Sequence, residues 1–579
     1  MRDINLIITV KDFWRPITML PHLTKKYKIL PLLLLSSLLA QEPEPIKAGV
    51  APPRGIYAPG VNVLHYDVEI GIGEKSDWIE GLVKIKVAVE ENTPVLSLDF
   101  TGLEINDISV EGRKIEYTYE KGVIRIRLKN NQKGDTVLVE ISYEGQPDDG
   151  LILGKNVHGN QTAFVDNWPN RTRFWLPSID HPSDKATVNY TIHAPKEWKV
   201  ISNGYQPYSP TETPENSMGP KEDRLTWKWE VTVPISPYNM VIGAADMEIR
   251  TVGLAACGEA LASQRKDGCV EVTTWVYPED VKNAEPSFRR AAEMVDYFTK
   301  TVGPFPFEKL ANVQSSTRYG GMENASAIFY SENAIAKGRN IEGTVSHEIA
   351  HQWFGDAVTE SNWHHLWLSE GFATYFGALF FEHADGVDDF KKLMDGSRKR
   401  VIKSKATNRP IIDPDEKDLF ALLNSNNYPK GGWVLHMLRG ILGDDLFFKG
   451  IKFYYKRFTH QAVLSEDFQK VMEETSGQDL NWFFQQWIYK PGYPILSLEE
   501  NWESIDGTNG IMKIRILQRQ KSAWPVFKIP TEICWDNDCR SIEINQKINE
   551  FQFNFDHKPT QLGVIDPDGW VLKDISSKK

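Results

Sequence analysis

The segment His347-Glu348-Ile349-Ala350-His351 constrains the fold of this 579-residue chain more than any other feature. On an α-helix a step of four residues returns to nearly the same face, so both imidazole rings point into one cavity. Two imidazole nitrogens held in this way can bind one Zn²⁺ ion. Glu348 projects toward the same cavity, where its carboxylate can accept a proton from water. The segment therefore predicts a helix that carries part of a zinc site.

A third metal ligand is predicted at Glu370, nineteen residues after His351. Glu370 lies in the segment Trp367–Ala373, which begins a second helical pattern. Two histidines and one carboxylate leave one coordination position open, as catalytic rather than structural zinc sites do. We therefore predict one Zn²⁺ per chain, bound by His347, His351 and Glu370, with Glu348 as the general base.

The composition argues against a nucleic-acid-binding protein, and the chain length indicates more than one domain. The formal net charge is −12 and the pI is about 5.7, which argues against a nucleic-acid partner because phosphates require a basic face. The hydrophobic fraction of 41% and the charged fraction of 25% are those of a globular protein. A chain of 579 residues is too long for a single core, so we expect a multidomain protein.

The N-terminus has the pattern of a targeting segment. Three lysines between positions 25 and 28 precede a mostly apolar run from Ile29 to Ala40. This run is too short to span a membrane and has the length of a signal-peptide core. We predict cleavage after Ala40, export to the periplasm or the extracellular space, and no stable membrane span after cleavage. An uncleaved signal anchor is the alternative.

The four cysteines form two local pairs, Cys257 with Cys269 and Cys534 with Cys539. Export permits disulfide formation, and the short spacing makes both pairs geometrically plausible. The alternative is four free or buried thiols. We predict two disulfide bonds.

Hydrophobic periodicity divides the chain into β-rich and helical regions. Period-two patterns such as Val83, Ile85 and Val87 run from about 61 to 255 and predict a large antiparallel saddle or sandwich. Helical patterns dominate from about 285 to 490, and alternation returns from about 496, which fits a small β-sandwich. The predicted division is a signal segment 1–40, a linker 41–60, an N-terminal β domain 61–255, a mostly helical domain 256–495 and a C-terminal β-sandwich 496–579.

Two further motifs offer chemistry near the predicted metal. In the segment Tyr319–Asn324 (YGGMEN) the glycines allow a ligand to approach the backbone, and Glu323 can bind an ammonium group. A plain Gly-Gly turn with a surface glutamate is the alternative. Tyr428 precedes Pro429-Lys430-Gly431 and offers a phenol donor for a developing oxyanion, whereas in isolation it is more often a packing residue.

Together these motifs resemble those of the gluzincin aminopeptidases of the aminopeptidase N and leukotriene hydrolase type. HExxH with eighteen intervening residues before Glu370 matches the zinc signature of that family. Tyr319–Asn324 matches its exopeptidase motif, and Tyr428 with Lys430-Gly431 matches its Tyr-x-Lys-Gly segment. Trp175–Pro182 is similar to a stretch near the end of the family's first domain. The resemblance covers about residues 61–579, is most specific in the catalytic third, and extends to the secreted bacterial members.

This resemblance implies a fold, an activity and a set of roles. The fold is multidomain α+β, with a thermolysin-like catalytic domain between two β-rich regions. The activity is zinc-dependent hydrolysis of the N-terminal residue from peptides with a free N-terminus. Glu348 acts as general base and Tyr428 stabilises the oxyanion. The implied substrate-binding residues are Gly320, Gly321, Met322, Glu323 and Asn324, with Glu323 as the anchor for the α-amine.

The chain departs from the family pattern at two places. Where many relatives have a second amine contact, an ungapped alignment places Asp166 or Trp168, which makes Asp166 a candidate. The leukotriene hydrolase branch has an aspartate eight residues before the tyrosine, and Phe420 takes that position here. No residues remain after the last β block for a helical fourth domain, so we expect no epoxide hydrolase activity and no substrate-carboxylate site from such a domain.

Two other functions fit parts of the pattern. A zinc endopeptidase of thermolysin type would use the same metal ligands but needs no amine anchor, so Glu323 discriminates against it. A non-catalytic scaffold commonly loses a ligand or the base, whereas this chain retains His347, His351, Glu370 and Glu348. Zinc content and turnover of an aminoacyl substrate separate the three alternatives.

Overall fold

The structure is a computed structural model that describes residues 48–52, 57–129 and 131–575. The predicted signal segment and its cleavage site at Ala40 lie outside these residues. Within the predicted linker, the Gly49 backbone N–H donates to the Asn170 side-chain oxygen at 2.7 Å, and Val50 pairs with Asp418 in an isolated bridge. The described part of this segment is therefore attached to both the N-terminal and the helical regions.

Alternating apolar residues between 61 and 235 build a large sheet, as predicted. Val83, Ile85 and Val87 are fully buried, while the residues between them are more exposed. Neighbouring strands are antiparallel, except that Val61–Gly71 and Ala186–Pro195 run parallel. In the part of the chain described, this sheet contains eight strands in the order Thr211–Glu212, Arg224–Ile235, Ala186–Pro195, Val61–Gly71, Ile79–Val89, Thr136–Gly145, Glu104–Val110 and Arg113–Lys114.

Two smaller sheets complete the N-terminal β-rich region. One has the strand order Lys199–Ser202, Ile242–Ala245, Gln161–Val165 and Leu151–Lys155. The other has the order Val95–Asp99, Val123–Arg127 and Tyr117–Glu120.

A mixed sheet connects this region to the helices and ends at the predicted substrate loop. Its order is Glu248–Ala255, Val270–Val276, Leu310–Ser315, Ala327–Ser331 and Gly321–Met322. The edge strand Gly321–Met322 places the Tyr319–Asn324 loop at the border of the sheet. Glu248–Ala255 pairs within this sheet although it precedes the predicted boundary at 255, and the domain limits stay a prediction.

Helices dominate from 281 to 487, as the sequence periodicity predicts. Among the described residues the α-helices are α1 (Val281–Phe288), α2 (Ala291–Thr301), α3 (Glu332–Ala336), α4 (Glu342–His351), α5 (Trp367–Ala384), α6 (Val387–Lys403), α7 (Gly431–Leu442), α8 (Asp444–Phe458), α9 (Ser465–Ser476) and α10 (Asn481–Trp487). A π-helical turn, Asn426–Lys430, leads into α7. A two-stranded sheet, Val358–Glu360 with Gln461–Val463, ties the α4–α5 connection to the α8–α9 connection.

Close packing of α5 against α4 brings the predicted metal ligands together. A side chain at Gly377 would place its Cβ 3.2 Å from the His347 Cα, so glycine allows the two helices to approach. Helix α5 is apolar on nearly all sides, with Phe372, Phe376 and Phe380 buried, because other helices surround it. Glu370 in the first turn of α5 is thereby directed at the histidines of α4.

In its described part, up to residue 575, the C-terminal region contains two sheets, as the β-sandwich prediction expects. One has the order Ile548–Phe555, Gly510–Gln518, Ile495–Ser504 and Asp574–Ile575, and the other has the order Asp538–Ile544, Ile529–Trp535 and Val564–Ile565. Trp570 attaches this region to the helices, because its indole stacks on the His436 ring with a centroid distance of 4.7 Å.

The structure joins Cys257 to Cys269 and Cys534 to Cys539, the two pairs that the spacing predicts. The second bond crosses the hairpin between Ile529–Trp535 and Asp538–Ile544. No helix within residues 48–575, apart from the undescribed positions 53–56 and 130, has the length and apolar character needed to cross a membrane.

Candidate metal centre

The three predicted metal ligands form a triangle of donor atoms. The Nε2 atoms of His347 and His351 are 3.0 Å apart, and Glu370 Oε2 lies 3.2 Å from the first and 3.3 Å from the second. Ligands at about 2.0–2.1 Å from a tetrahedral Zn²⁺ are separated by roughly 3.3–3.4 Å, so the triangle has the size that zinc requires. The residues therefore fit a Zn²⁺ ion without rearrangement of the helices.

Backbone and side-chain contacts orient His351 for metal binding. Its Nδ1–H donates to the Phe354 carbonyl at 2.9 Å, and Ser369 Oγ lies 3.1 Å from the same nitrogen. Because Nδ1 carries the proton, the lone pair of Nε2 faces the triangle. Burial alone would raise the pKa of Glu370, but His351 and His347 together lower it to about 2, so this ligand is a carboxylate.

Glu348 is buried beside the metal ligands, and the substrate loop packs directly against it. A side chain on Gly321 would place its Cβ 2.2 Å from Glu348 Oε1, so any larger residue at this position would displace the Glu348 side chain. Burial raises the pKa of Glu348 well above its ordinary value, while His351 opposes the shift. The predicted base therefore faces the backbone to which the sequence assigns substrate binding.

Glu323 lies in the same group of side chains. Carboxylate oxygens of Glu323 and Glu348 and a ring nitrogen of His351 all lie within 4.8 Å of one another. Burial raises the pKa of Glu323 to about 7, an effect that His351 opposes and the Glu370 charge reinforces. Two buried carboxylates this close form a site that favours a cation.

A hydrogen-bond chain from the N-terminal region holds the Glu323 backbone. Gln352, the residue after the second histidine, donates from Nε2 to the Glu323 carbonyl at 2.8 Å and to Asp356 Oδ2 at 2.7 Å. Asn239 donates to the other oxygen of Asp356 at 2.5 Å, and Lys185 donates to the Asp356 carbonyl at 2.6 Å. The loop is therefore positioned by residues from both the helical and the β-rich regions.

Tyr428 reaches the metal centre from the π-helical turn before α7. Its hydroxyl donates to Glu370 Oε1 at 2.6 Å, the carboxylate oxygen that is not part of the ligand triangle. Its ring is nearly parallel to that of His347, with centroids 6.0 Å apart. The hydroxyl therefore lies beside the metal site, as its predicted role requires, and also orients one of the ligands.

A cavity of about 550 Å³ contains these groups. It brings together all but one of the predicted site residues, and the exception is Asn324, which is fully buried behind the loop. Gly320 faces open space, since a Cβ there would meet no atom within 4 Å. The roles of the individual loop residues toward a substrate stay predictions.

Of the two aligned candidates for a second amine contact, the structure brings Trp168 to the cavity wall and not Asp166. Asp166 is fully buried, where Oδ1 accepts from Arg171 at 2.7 Å and Oδ2 accepts from the Arg318 backbone at 3.2 Å. Phe420 packs against Trp168 with ring centroids 5.8 Å apart. Trp168 and Phe420 thus form an aromatic pair at positions where the resemblance implied a second amine contact and, in one branch, an aspartate.

Sequence reasoning missed the residues that support the site. Gln352 and Ser369 each adjoin a predicted ligand in sequence, which is the one signal that marks them. On the far side of the cavity Thr344, Thr374 and Arg400 line the wall, and no motif includes them.

Known proteins similar to this chain share this fold. The profile described as "Peptidase M1 N-terminal domain" matches residues 62–239, and that described as "Peptidase family M1 domain" matches residues 287–487. Together the two profiles cover most of the chain. The protein belongs to peptidase family M1.

Several curated proteins are similar to this chain. Probable aminopeptidase 1 of Sulfurisphaera tokodaii is 26% identical over 77% of the chain, and leucyl aminopeptidase of Saccharolobus solfataricus is 24% identical over 84%. Glutamyl aminopeptidase of Sus scrofa is 27% identical over 76%. The chain spans 55%, 62% and 48% of the length of these three relatives, respectively.

The fold also matches solved structures. An M1 zinc metallopeptidase from Deinococcus radiodurans superposes with a TM-score of 0.65 at 23% identity, over 75% of this chain and 95% of that one. A mutant M1 zinc metallopeptidase from the same organism, solved with a Tyr-Ser-Ala substrate, gives a TM-score of 0.63 at 23% identity, over 76% and 97% of the two chains. These likenesses support the multidomain fold.

Proposed function

We propose that this protein is a zinc-dependent aminopeptidase that removes the N-terminal residue from peptides. The observation that carries the proposal is the pair of buried carboxylates, Glu323 and Glu348, within 4.8 Å of each other and of a ring nitrogen of His351. Glu323 serves as the amine anchor, and Glu348 serves as the general base. The similar aminopeptidases of three organisms support the same activity.

The short distance between Glu323 and the metal ligands limits cleavage to the first residue. Within one amino acid the amine nitrogen and the carbonyl carbon are about 2.5 Å apart. A substrate amine bound by Glu323 therefore brings its first peptide carbonyl to the triangle of His347, His351 and Glu370. A longer N-terminal extension would have to displace the loop that Gln352 holds in place.

The chain's own residues supply the proton transfers and the polar contacts. His347, His351 and Glu370 would hold one Zn²⁺ per chain, which would supply a Lewis acid for the carbonyl. Glu348 accepts the proton of the attacking water and passes it to the leaving amine. The Tyr428 hydroxyl turns from Glu370 toward the developing oxyanion, and Gly320 and Gly321 contact the substrate backbone.

Turnover of aminoacyl chromogenic substrates, together with the zinc content, tests the proposed function. We expect one zinc per chain and cleavage of substrates with a free amine. His347→Ala should lose both metal and activity, because it removes one of three protein ligands. Stoichiometric zinc in that variant, or no turnover by the zinc-loaded wild type across a panel of aminoacyl groups, would contradict the proposal.

Tyr428→Phe should separate transition-state stabilisation from support of the metal ligand. Loss of a donor to the oxyanion should lower kcat roughly 10²–10³-fold with little change in KM and full zinc content. Tyr375→Phe is the matched control, because Tyr375 is buried on α5 with its hydroxyl 3.2 Å from His436 Nδ1, away from the cavity. Zinc loss in Tyr428→Phe would show that the hydroxyl acts mainly on Glu370.

We further propose that the mature protein is exported. The support is the basic and apolar pattern before Ala40 and two disulfide bonds, which persist in oxidising compartments. N-terminal sequencing of the protein recovered from the periplasm or medium should begin near Gln41. Retention of the whole protein inside the cell would contradict export.

A further inference from the structure

The cavity extends beyond the metal ligands, away from the amine anchor. On α4 it is lined by Gly343 and Thr344, which lie on the opposite side of His347 from His351. On α5 it follows one face from Glu370 to Phe381, a length of roughly 16 Å at 1.5 Å per residue. Because Glu323 lies beside His351, this extension is the side on which the leaving part of a substrate would lie.

Helix α6 forms the outer wall of this extension through Leu393, Ser397 and Arg400, which lie on one helical face. Helices α5 and α6 are joined by the two residues Asp385 and Gly386, so they run as antiparallel neighbours. Arg400 is 14 residues after the end of this turn, and Glu370 is 15 residues before its start. Arg400 is therefore nearly level with the metal ligand on α5.

Arg400 differs from the other charged groups of the cavity in its positive charge and its exposure. The buried carboxylates there belong to Glu323, Glu348 and Glu370, whereas Arg400 is an exposed arginine. Its Nη2 donates to Ser397 Oγ at 3.2 Å, and no carboxylate of the described residues lies within 4.0 Å of its guanidinium. The other arginine of α6, Arg398, has an acidic partner in Asp395 at 2.7 Å.

We propose that Arg400 binds a substrate carboxylate on the leaving-group side of the scissile bond, and that short peptides with a free C-terminus are therefore preferred substrates. The inference rests on the proposed aminopeptidase function. Carboxylates near Glu323 attract the substrate amine and repel its C-terminus, while Arg400 attracts that C-terminus. The cavity thus orients a zwitterionic peptide across the metal centre.

Because Arg400 lies at nearly the same height along α6 as Glu370 does along α5, we expect dipeptides to be the best substrates. An extended dipeptide spans about 7 Å, so its carboxylate lies one residue beyond the scissile carbonyl. A guanidinium can bind that carboxylate through two parallel hydrogen bonds. An acidic side chain on the second residue presents the same chemical group, and the experiment must distinguish the two sources.

The test compares matched substrates with and without the carboxylate. Leucyl-alanine and leucyl-alaninamide differ in the C-terminal charge, and leucyl-aspartamide and leucyl-asparaginamide differ in the side-chain charge. We expect the wild type to cleave leucyl-alanine about three- to tenfold better, in kcat/KM, than its amide, a modest factor because water screens an exposed arginine. Arg400→Gln should reduce this ratio to about 1, mainly through KM.

Two controls isolate the effect of Arg400. Arg398→Gln removes an equal charge from the same helix, and since Arg398 does not line this cavity the wild-type ratio should persist. Cleavage of leucyl-p-nitroanilide, which has no carboxylate, should be equal in the wild type and in Arg398→Gln. Thermal melting of each variant checks that the fold is retained, and Arg400→Lys should keep part of the preference.

Each outcome either supports or overturns the proposed role of Arg400. A wild-type ratio near 1 for both substrate pairs, or a ratio that survives in Arg400→Gln, would overturn it. Arg400-dependent preference for the aspartyl pair alone would support the carboxylate site, assign it to the side chain of the second residue, and overturn the preference for a free C-terminus. Absence of wild-type turnover on leucyl-p-nitroanilide and on every other aminoacyl chromogen would overturn the proposed function itself, and the inference with it.

Discussion

Glu348→Gln is expected to retain one zinc per chain and to lose about 10³-fold in kcat. The amide has nearly the same shape as the carboxylate and leaves His347, His351 and Glu370 in place, so metal binding should persist. It cannot accept a proton from water, and general-base catalysis contributes roughly 10²–10⁴-fold to enzymatic rates. Measurement of zinc content and of kcat on the same preparation tests both parts of the prediction.

Glu360→Gln is the matched control for this variant. Glu360 is also a buried glutamate whose pKa is raised by burial, to about 8, but it does not line the cavity. Near-normal kcat in Glu360→Gln together with a large loss in Glu348→Gln would assign the effect to the position of Glu348 and not to the loss of any buried carboxyl group. Substantial kcat in fully zinc-loaded Glu348→Gln would remove the general-base role.

Acetylation of the substrate N-terminus is expected to lower kcat/KM about 10²-fold or more. The acetyl group removes the positive charge that pairs with Glu323, and a buried carboxylate without its cation carries a large desolvation cost. The loop around Glu323 is also held by Gln352, so it does not move easily to admit an acetyl group. Paired kinetics on free and acetylated forms of one peptide measure the effect.

Glu323→Ala makes this comparison specific to the amine contact. The variant should lose much of kcat/KM on the free peptide and little on the acetylated one, because the acetylated peptide makes no ion pair to lose. When the two losses in kcat/KM are converted to free energies, their difference is the coupling energy between the substrate amine and the Glu323 carboxylate. If the wild type cleaves acetylated peptides as fast as free ones, or cuts internal bonds, Glu323 is not an amine anchor and the protein acts as an endopeptidase.

The metal site could be predicted from sequence because its chemistry is local. His347 and His351 are fixed on one face by the helical repeat, and Glu348 follows from its place between them. The alternation of Val83, Ile85 and Val87 likewise determines which face of a strand is buried, since side chains alternate across a sheet. In each case the geometry depends on a few adjacent residues.

The partners of these residues could be decided only by the tertiary structure. The Tyr428 hydroxyl donates to Glu370, 58 residues away in sequence, and the Glu323 carbonyl accepts from Gln352 because two separate elements meet. Asp166 and Trp168 are two residues apart, and an ungapped alignment offers no basis for choosing between them. The buried Arg171 beside Asp166 directs that carboxylate away from the cavity.

The sequence by itself therefore determined the candidate zinc ligands, the candidate base and the order of β-rich and helical regions, because periodicity along the chain decides which side chains share a face. The tertiary structure decided which residues line the cavity. Arg400 belongs to no motif, and its position near Glu370 results from the antiparallel packing of α6 on α5. Contacts between elements distant in sequence depend on how those elements pack, and periodicity within one element contains no information about that packing.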